Sequence, residues 1–434
     1  MKLGFLLFDY FPFGGLQRDC LKVATLCAQR GHQVTLFTRT WLGEKPASIT
    51  IELFGRRGFT NVASNRAWLR QLAAALPHRG LDGVVGFNKL PGLDVYYGSD
   101  PCYVAKTERL KPGWFRWLPR FRHFRELERS VFAARLSAQI LLLTPHEIPL
   151  YQKHYGTESN RFHVLPPGIA RHDYSEEKRI GTRRRLRAEH GWGDDERLLL
   201  LVGSGFRVKG LDRAINGLAA LPSNLKAKAR LVVIGQNRSA EFAAQAGRLG
   251  VGARVHFLGG RLDVPDWMLA ADLCLHPAYS ESAGMILLEA MTCGLPVLTT
   301  DTCGYAFHVA KAKGGIVLPS PFSQDECNRT LAEMLVSAAV QEWRANGLAY
   351  AAREDLYSCH ERAADIIEQT IRRKNRTACC RNARADRLNP KSDSQKATKV
   401  TKKKESTSSG DANNSSAVKC STACFFVLFV GFCK

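Results

Sequence analysis

The sequence predicts an α/β protein of two doubly wound, Rossmann-like domains that face each other across a cleft. Short apolar runs alternate with helix-like stretches through the first half of the chain, and the same alternation returns in the second half. The segment Pro166-Pro167-Gly168 separates the halves and is typical of a linker. Ligands of such sheets bind beyond the carboxyl ends of the strands, so we expect the functional site in the cleft.

The first domain, residues 1–167, is predicted from apolar runs that show no polar alternation and therefore suit strands buried on both faces. These runs lie at 3–8, 33–38, 83–87 and 139–143. Between the first two, apolar residues recur at helical spacing from Leu16 to Cys27, and Gly31 ends the pattern. A strand, a helix and a second strand in this order indicate a parallel sheet.

The second domain, residues 168–371, repeats the pattern and ends in a helical segment that starts at 323. Its predicted strands lie at 198–203, 230–235, 254–257, 272–276, 296–300 and 315–318. Residues 372–434 differ, because they hold 15 basic and four acidic residues and few residues that form a core. We expect a disordered basic tail there, since so little apolar surface cannot offset the entropy lost on folding.

Composition restricts the class of protein. Hydrophobic residues make up 45% and charged residues 24%, ordinary values for a globular protein that exclude wholesale disorder and a fibrous fold. The 62 Lys and Arg exceed the 40 Asp and Glu, for a net charge of +22, which favours nucleic acid, anionic lipid or a phosphorylated substrate as partner. Eight of the 13 cysteines are scattered through the two domains without a C-x-x-C pair. This spacing, and the lack of a signal-like or membrane-spanning run in the two domains, favour the cytoplasm.

Two glycine-containing turns suit phosphate groups. Gly14 and Gly15 join the first strand to a helix, where the backbone can approach a ligand closely, although an ordinary tight turn has the same residues. The third glycine of the dinucleotide fingerprint is absent, which argues against a nicotinamide enzyme. A second glycine-rich turn, after the strand at 198–203, carries Arg207 and Lys209 and suits a diphosphate or, alternatively, is a solvated basic loop.

Glu281 and Glu289 lie eight residues apart around the start of an apolar helix. We expect the helix to begin near Ala283, which places Glu281 in the preceding loop and Glu289 inside the helix. A carboxylate in such an apolar helix needs a hydrogen-bonding partner. Each Glu is therefore either a ligand-binding group or a salt-bridged structural residue.

Residues 103–132, the basic-aromatic stretch, carry eight Lys or Arg against three Glu, with six Trp or Phe among them. Cations interleaved with aromatic rings suit an anionic membrane surface. They also suit RNA, and an ordinary helix with packed aromatic rings is a further alternative. We favour the membrane surface, because an enzyme whose acceptor lies in a membrane needs such a patch, and we expect no nucleic acid.

Several motifs are shared with a known enzyme family. They are Tyr10-Phe-Pro-Phe-Gly-Gly-Leu-Gln-Arg-Asp19, Gly86-Phe-Asn-Lys-Leu-Pro-Gly-Leu-Asp94, Leu165-Pro-Pro-Gly-Ile169, Leu298-Thr-Thr300 with Cys303-Gly-Tyr305, and Glu281-x7-Glu289 followed by Gly294-Leu-Pro296-Val297. Through them the chain resembles the retaining GT-B glycosyltransferases of family four, and within them the glucosyltransferases of the lipopolysaccharide core. The resemblance spans residues 1–370 and leaves out the tail.

The resemblance implies a GT-B fold and a role for each matching residue. The implied positions are Gly14 and Gly15 at the donor diphosphate, Lys209 at the leaving UDP, Arg261 at the uracil, Glu281 with the amides of Ala283 and Gly284 at the donor sugar, Glu289 at the ribose, and Asp19 and Asp100 on the acceptor side. The family has Arg directly before the lysine, whereas this chain has Val208. Arg207, one position earlier, is the expected substitute for the second phosphate contact.

The resemblance further implies transfer of a hexose, glucose by expectation, from a UDP-sugar to a heptose of the lipopolysaccharide core, on the inner face of the inner membrane. The chain contains no Asp-x-Asp motif to hold a metal at the diphosphate, so we expect neither a metal nor another cofactor. Two alternatives stay open. One is a GT-B transferase with a different donor or acceptor, and the other is a catalytically impaired scaffold that binds membrane or RNA.

Overall fold

The computed structural model describes residues 1–12, 14–172 and 174–388, with side chains as far as residue 377. The strands are β1 (Lys2–Leu6), β2 (Asp9–Tyr10), β3 (Gln33–Thr38), β4 (Thr40–Trp41), β5 (Thr50–Leu53), β6 (Gly83–Gly86), β7 (Val95–Gly98), β8 (Gln139–Leu142), β9 (Phe162–Val164), β10 (Arg197–Val202), β11 (Ala229–Ile234), β12 (Val255–Phe257), β13 (Leu273–His276), β14 (Val297–Thr300) and β15 (Gly315–Leu318). They alternate with helices, as the sequence predicts for an α/β protein.

The helices bury apolar stripes against these strands. They are α1 (Gly15–Gln29), α2 (Asn61–Ala75), α3 (Tyr103–Leu110), α4 (Pro119–Phe132), α5 (Ile148–Tyr155), α6 (Glu176–His190), α7 (Leu211–Ala220), α8 (Ser223–Lys226), α9 (Ala240–Arg248), α10 (Val264–Ala270), α11 (Met285–Thr292), α12 (Ala306–Ala312), α13 (Gln324–Val336), α14 (Val340–Arg353) and α15 (Cys359–Leu388). A 3-10 turn, Gly113–Trp117, lies between α3 and α4.

A seven-stranded sheet forms the first domain, in the order β5-β3-β1-β6-β7-β8-β9. All of its neighbouring strands are parallel, which confirms the prediction. β1 pairs with β3 on one side and β6 on the other, and Leu3 lies opposite both Val34 and Gly83. The direction of winding therefore reverses at β1, and a ligand site is expected beyond its carboxyl end.

The second domain contains a six-stranded parallel sheet in the order β12-β11-β10-β13-β14-β15. This order is that of a Rossmann dinucleotide-binding domain, and all six predicted strands are present. The winding reverses between β10 and β13. The glycine-rich turn follows β10 and the Glu281 loop follows β13, so both lie at this switch point.

The chain passes between the domains twice, and the two crossings lie side by side. The amide of Ile169 in the linker donates to the carbonyl of Leu356, and the amide of Cys359 donates to the carbonyl of Pro167. These hydrogen bonds measure 3.1 and 3.2 Å. The domains are thus joined along one short line of backbone contacts.

Helix α15 differs from the prediction in two ways. It returns to the first domain and packs along α1, with the side chains of Ala363, Ile367 and Ile371 fully buried, whereas the helical end was expected within the second domain. It also continues to Leu388, past the predicted start of a disordered tail at 372. The apolar stripe of α15, which ends at Ile371, explains its return to the first domain, a long-range contact that local composition does not reveal. Beyond this stripe, Lys374 and Asn375 bind Asp94 and Asp82 of the first domain. Residues 389–434 of the predicted tail lie outside the described residues.

The eight cysteines of residues 1–377 are all buried and unpaired, so they are free thiols. Burial raises the pKa of several of them, including Cys27 to about 12, so these thiols are uncharged packing residues. Among the helices of the described ranges, none has both the length and the apolar character required to cross a lipid bilayer.

Candidate active site

The switch point of the second domain brings two loops together. Gly210 ends the glycine-rich turn with a φ of +75°, and a side chain there would meet the carbonyl oxygen of Pro277 at 2.0 Å. Glycine is therefore required for the turn after β10 to pass close to the loop after β13. This close approach places Lys209 beside Glu281.

Glu281 is held by two cations, one on each carboxylate oxygen. The Nζ of Lys209 forms an ion pair with Oε1, and the Nε2 of His276 lies 2.6 Å from Oε2. Lys209 and Glu281 are 18% and 16% exposed, whereas His276 is fully buried. The three side chains form a charge cluster at the carboxyl end of β13, open to the cleft only through Lys209 and Glu281.

The protonation states within the cluster follow from these contacts. Burial alone would lower the pKa of His276, but its contacts with Cys303 and Glu281 outweigh burial and raise this pKa to about 9. Burial alone would raise the pKa of Glu281, but His276 and Lys209 outweigh burial and lower it to about 2. Near neutral pH the cluster contains two cations and one carboxylate, and its excess positive charge suits an anionic ligand.

Backbone contacts fix the Glu281 loop. The amide of Glu281 donates to Thr302 at 3.1 Å, and the amide of Gly304 donates back to the carbonyl of Glu281 at 3.0 Å. Gly284 has a φ of +90° and caps α11, which begins at Met285, close to the expected start at 283. The amides of Ala283 and Gly284 thus lie at the N-terminus of α11, where partial positive charge favours an anionic or hydroxyl-bearing ligand.

Glu289 lies on α11, half-buried, with the pKa of its carboxyl group raised by burial. Its carboxylate has no hydrogen-bond partner among the described residues, contrary to the partner expected from the sequence. The cations near enough to affect it electrostatically are Arg18 and Lys22 on α1 and His172 beyond the linker. Glu289 therefore faces the first domain across the cleft with its hydrogen-bonding capacity unused.

The glycine turn of the first domain opens α1 toward the cleft. Gly14 is the N-cap of α1, with no side-chain cap and no acidic residue in the first turn of the helix. A side chain at Gly14 would overlap Gln17 at 1.9 Å, whereas a side chain at Gly15 would meet none of the described residues within 4 Å. The space beside Gly15 leaves room for a ligand close to the backbone, as expected for a phosphate contact.

Two residues that were predicted to bind the UDP-sugar contact surface carboxylates instead of the charge cluster. Arg207 pairs with Glu241 at 2.8 Å, and both side chains are more than half exposed. Arg261 makes two hydrogen bonds of 2.6 Å to Asp263. The structure therefore does not bring Arg207 to Lys209, and the roles at the second phosphate and at the uracil stay predictions.

Asp19 and Asp100 differ in surroundings. Asp19 on α1 is buried, accepts a hydrogen bond from the Tyr97 hydroxyl at 3.1 Å and lies 2.9 Å from Nε2 of His360 on α15. Asp100 follows β7 and is exposed. The structure thus gives Asp19 a place in a buried network between α1, β7 and α15, while Asp100 remains open to solvent.

The charge cluster also has the residue types of a metal site. Ligand atoms of His276, Glu281 and Cys303 all lie within 4.8 Å of one another. Both carboxylate oxygens, however, already contact cations, namely Lys209 and His276. A further cation would have to displace one of them, so the arrangement suits an anion better than a metal ion.

The basic-aromatic stretch forms α3, the 3-10 turn and α4, and all eight of its basic residues are exposed. Glu128 is fully buried, which leaves Glu108 and Glu126 as its exposed acids. Trp114 and Trp117 are 63% and 75% exposed. The other four rings are less exposed. Phe115 and Phe124 are half-buried, and Phe121 and Phe132 are buried in the core.

His276 is the residue of the charge cluster that sequence reasoning missed. It is the last residue of β13, in an apolar strand and five positions before Glu281. A histidine that ends a buried strand at a switch point was the available signal. Its contact with Glu281 depends on the turn of the intervening loop, which the sequence does not reveal.

Comparison with known proteins places these features in context. The profile of the family "Glycosyl transferases group 1" matches residues 182–354. The lipopolysaccharide glucosyltransferase WaaG of Escherichia coli K12 is 44% identical over 368 residues, which are 85% of this chain and 98% of the relative. A crystal structure of WaaG, a glycosyltransferase involved in lipopolysaccharide biosynthesis, has a TM-score of 0.78 and covers 84% of this chain and 99% of that chain.

A more distant structure shares the same architecture. Anabaena HepE, crystallised with UDP and glucose, is 19% identical with a TM-score of 0.65, over 85% of this chain and 100% of that chain. At this identity the likeness concerns the fold alone.

Proposed function

The chain belongs to the group 1 glycosyltransferases and has their GT-B fold, and on this premise we propose that it transfers glucose from UDP-glucose to a heptose of the lipopolysaccharide core. The observation that carries the proposal is the Lys209–Glu281 pair at the switch point, in a chain 44% identical to a lipopolysaccharide glucosyltransferase along nearly its whole length. The presence of Lys209, Glu281 and Glu289 argues against a catalytically impaired scaffold.

Charge determines the role that we assign to each group. Cleavage of the bond between the anomeric carbon and the phosphate oxygen leaves the electron pair, and added negative charge, on UDP. Lys209 and the amides at the start of α1 are placed to stabilise this charge. Glu289 offers its carboxylate to the ribose hydroxyls.

We assign Glu281 to positioning the donor sugar in a transfer that retains the anomeric configuration. Its low pKa makes it a weak nucleophile, and His276 holds one of its oxygens. The acceptor hydroxyl forms the new bond on the face that the phosphate leaves. Its proton passes to the departing phosphate oxygen, which gains charge as the old bond breaks.

The experiment that tests this function is a donor screen. The purified full chain is incubated with UDP-glucose, UDP-galactose, UDP-N-acetylglucosamine and ADP-glucose, together with a lipopolysaccharide core acceptor that ends in heptose. We expect a product whose mass has grown by one hexose with UDP-glucose. If the product mass increases only with another donor, that sugar replaces glucose in the proposal. If the mass increases with none of the donors, the proposed function is wrong.

We also propose that the enzyme acts at the cytoplasmic face of the inner membrane, bound through the basic-aromatic stretch. Exposed cations beside Trp114 and Trp117 match the composition of a surface that meets anionic headgroups and inserts rings among them. A lipid-linked acceptor would be delivered to the cleft by such docking.

We further propose that transfer needs no metal. The support is Lys209 of the charge cluster, a partly exposed cation that can supply at the diphosphate the positive charge that a metal provides in many transferases. Activity should persist in excess EDTA, and glucose transfer measured with and without EDTA checks this. Loss of activity that added magnesium or manganese restores would contradict the proposal.

A further inference from the structure

His276 is placed where it can act on the donor site without touching the donor. The imidazole is fully buried, and its Nε2 lies 2.6 Å from the carboxylate of Glu281. We propose that His276 is a positioning residue, which holds Glu281 ionised and in one orientation when Lys209 turns from Glu281 to the donor diphosphate. This inference rests on the proposed function.

The two cations that hold Glu281 differ in freedom of movement. His276 ends β13, pairs with Thr299 across the sheet and accepts a hydrogen bond from the Thr299 hydroxyl at its carbonyl oxygen, at 3.0 Å. Its backbone is therefore fixed by the neighbouring strand β14. Lys209 has a long flexible side chain on a turn and is partly exposed. On donor binding, Lys209 is the partner that can move.

The departure of Lys209 would have a cost without His276. Glu281 is only 16% exposed, and a carboxylate at such a site is destabilised unless a cation or hydrogen-bond donors remain. With His276 in place, one oxygen stays bound and the other becomes free for a sugar hydroxyl. The exchange thus converts the resting ion pair into an oriented acceptor of hydrogen bonds.

The surroundings of the imidazole favour its charged form. The titratable groups around it are Glu281, with Lys209 behind it, and the thiols of Cys303 and Cys274. The remaining ring nitrogen, Nδ1, is buried without a hydrogen-bond partner among the described residues. Glu281 is the carboxylate of this group and lies 2.6 Å from the imidazole, so the imidazolium charge acts on it.

The test compares two ligands that differ by the sugar. Calorimetry measures the Kd of UDP and of UDP-glucose for the wild-type full chain and for His276→Asn. We expect the Kd of UDP to stay within about twofold and that of UDP-glucose to rise about tenfold or more, the loss typical of a hydrogen bond to a charged group. His256→Asn, at a half-buried histidine on the far edge of the sheet, is the matched control and should change neither value.

Two further measurements separate positioning from folding. His276→Gln has an amide that can donate to Glu281 and should recover part of the lost affinity, whereas a purely structural defect would not be relieved. In the wild type, the preference for UDP-glucose over UDP should decline as the pH rises through about 9, and this decline should be absent in His276→Asn.

Several outcomes would overturn the inference. One is that His276→Asn loses equal affinity for UDP and for UDP-glucose, and another is that it loses affinity for neither. A third is that the wild-type chain binds no UDP-sugar more tightly than UDP. If the wild type prefers another nucleotide sugar, the proposed donor is wrong, and the comparison of His276→Asn with wild type is made with that sugar. Failure of the proposed function and failure of this inference thus give different results.

Discussion

Lys209 and Glu281 neutralise each other in the ligand-free cleft, and each has a separate task once a donor arrives. Lys209→Ala should lower kcat by the equivalent of about 2–4 kcal/mol, because the leaving UDP loses a charge-stabilising donor. Glucose transfer at saturating donor and acceptor measures this effect. A rise in KM with kcat unchanged would show that Lys209 only binds the donor.

Arg207→Ala provides the contrast at the residue scale. The arginine pairs with Glu241 on the surface and not with the charge cluster. We therefore expect Arg207→Ala to lower kcat by the equivalent of less than about 1 kcal/mol. A loss as large as that of Lys209→Ala would restore the second phosphate contact that the family resemblance implies for Arg207.

Individual residues were predictable where their function needs a fixed sequence spacing. Lys209 was predicted from a glycine-rich turn, and Glu281 and Glu289 from their spacing of eight residues. The structure brings Lys209 and Glu281 together. His276 was not predicted, because its partner is set by the course of a loop. The contact of Arg207 with Glu241 was likewise hidden, since the two lie on separate elements.

At the scale of elements, a buried carboxylate on α4 holds the start of α3. Glu128 is fully buried and accepts hydrogen bonds from Lys89 at 2.6 Å, from the Tyr155 hydroxyl at 2.6 Å and from the amides of Tyr103 and Val104 at 2.7 and 3.2 Å. It thus supplies the acceptor that the N-terminus of α3 lacks in its own sequence.

Glu128→Gln should lower the free energy of unfolding by about 3 kcal/mol, because it leaves Lys89 buried without its anion. Urea denaturation followed by circular dichroism measures the change. Glu126→Gln on the same helix is the matched control, since Glu126 is exposed, and should stay within about 0.5 kcal/mol. Equal behaviour of the two variants would contradict the capping role.

The basic-aromatic stretch should bind anionic vesicles reversibly, since each exposed cation contributes about 1 kcal/mol near an anionic surface and salt weakens the attraction. Replacing Arg116, Arg120, Arg122 and Arg125 by Gln should reduce sedimentation with phosphatidylglycerol vesicles. Transfer to a soluble acceptor fragment should persist.

The matched control replaces four exposed arginines of the second domain by Gln, and vesicle binding should survive it. These are Arg184, Arg238, Arg248 and Arg329. Because the tail is basic too, both sets are also compared in chains that end near Arg372, which removes nearly all of the tail's basic residues. If the shortened wild type binds anionic and neutral vesicles alike, the stretch is not the membrane surface.

Elements were predictable where local pattern is enough. All six strands of the second domain and the apolar strands of the first are present, whereas β2, β4, β5, β7 and β9 were missed. Each of these short strands contains a polar or Tyr residue that interrupts its apolar run. The rings of the basic-aromatic stretch divide between surface and core according to the face of α4 on which they lie. The sequence alone does not orient that face.

At the scale of the whole molecule, Asp19 links the domains through α15. Asp19→Asn should lower the free energy of unfolding by about 2 kcal/mol, because the buried contacts to Tyr97 and His360 lose their charge. Asp194→Asn, at an exposed carboxylate, is the control for thermal unfolding and should have little effect. A loss of kcat at unchanged stability would instead favour the acceptor-side role that the family resemblance implies.

The two-domain architecture and its cleft were predictable, because repeated apolar runs in the sequence predict the strands of both sheets. The return of α15 to the first domain was not, because Ala363, Ile367 and Ile371 match any apolar surface equally well. Long-range choices of this kind depend on which faces the rest of the fold leaves uncovered.

Because α15 packs on the first domain, neither domain is formed by one continuous stretch of chain alone. Residues 1–167 produced alone would expose the face of α1 that α15 covers, and residues 168–434 would display the apolar stripe of α15 to solvent. The two fragments are therefore complementary, and co-expression should let them reassemble at the linker. A split reporter built at Gly168 would give its signal through the docking of α15, and would report on that single helix contact in living cells.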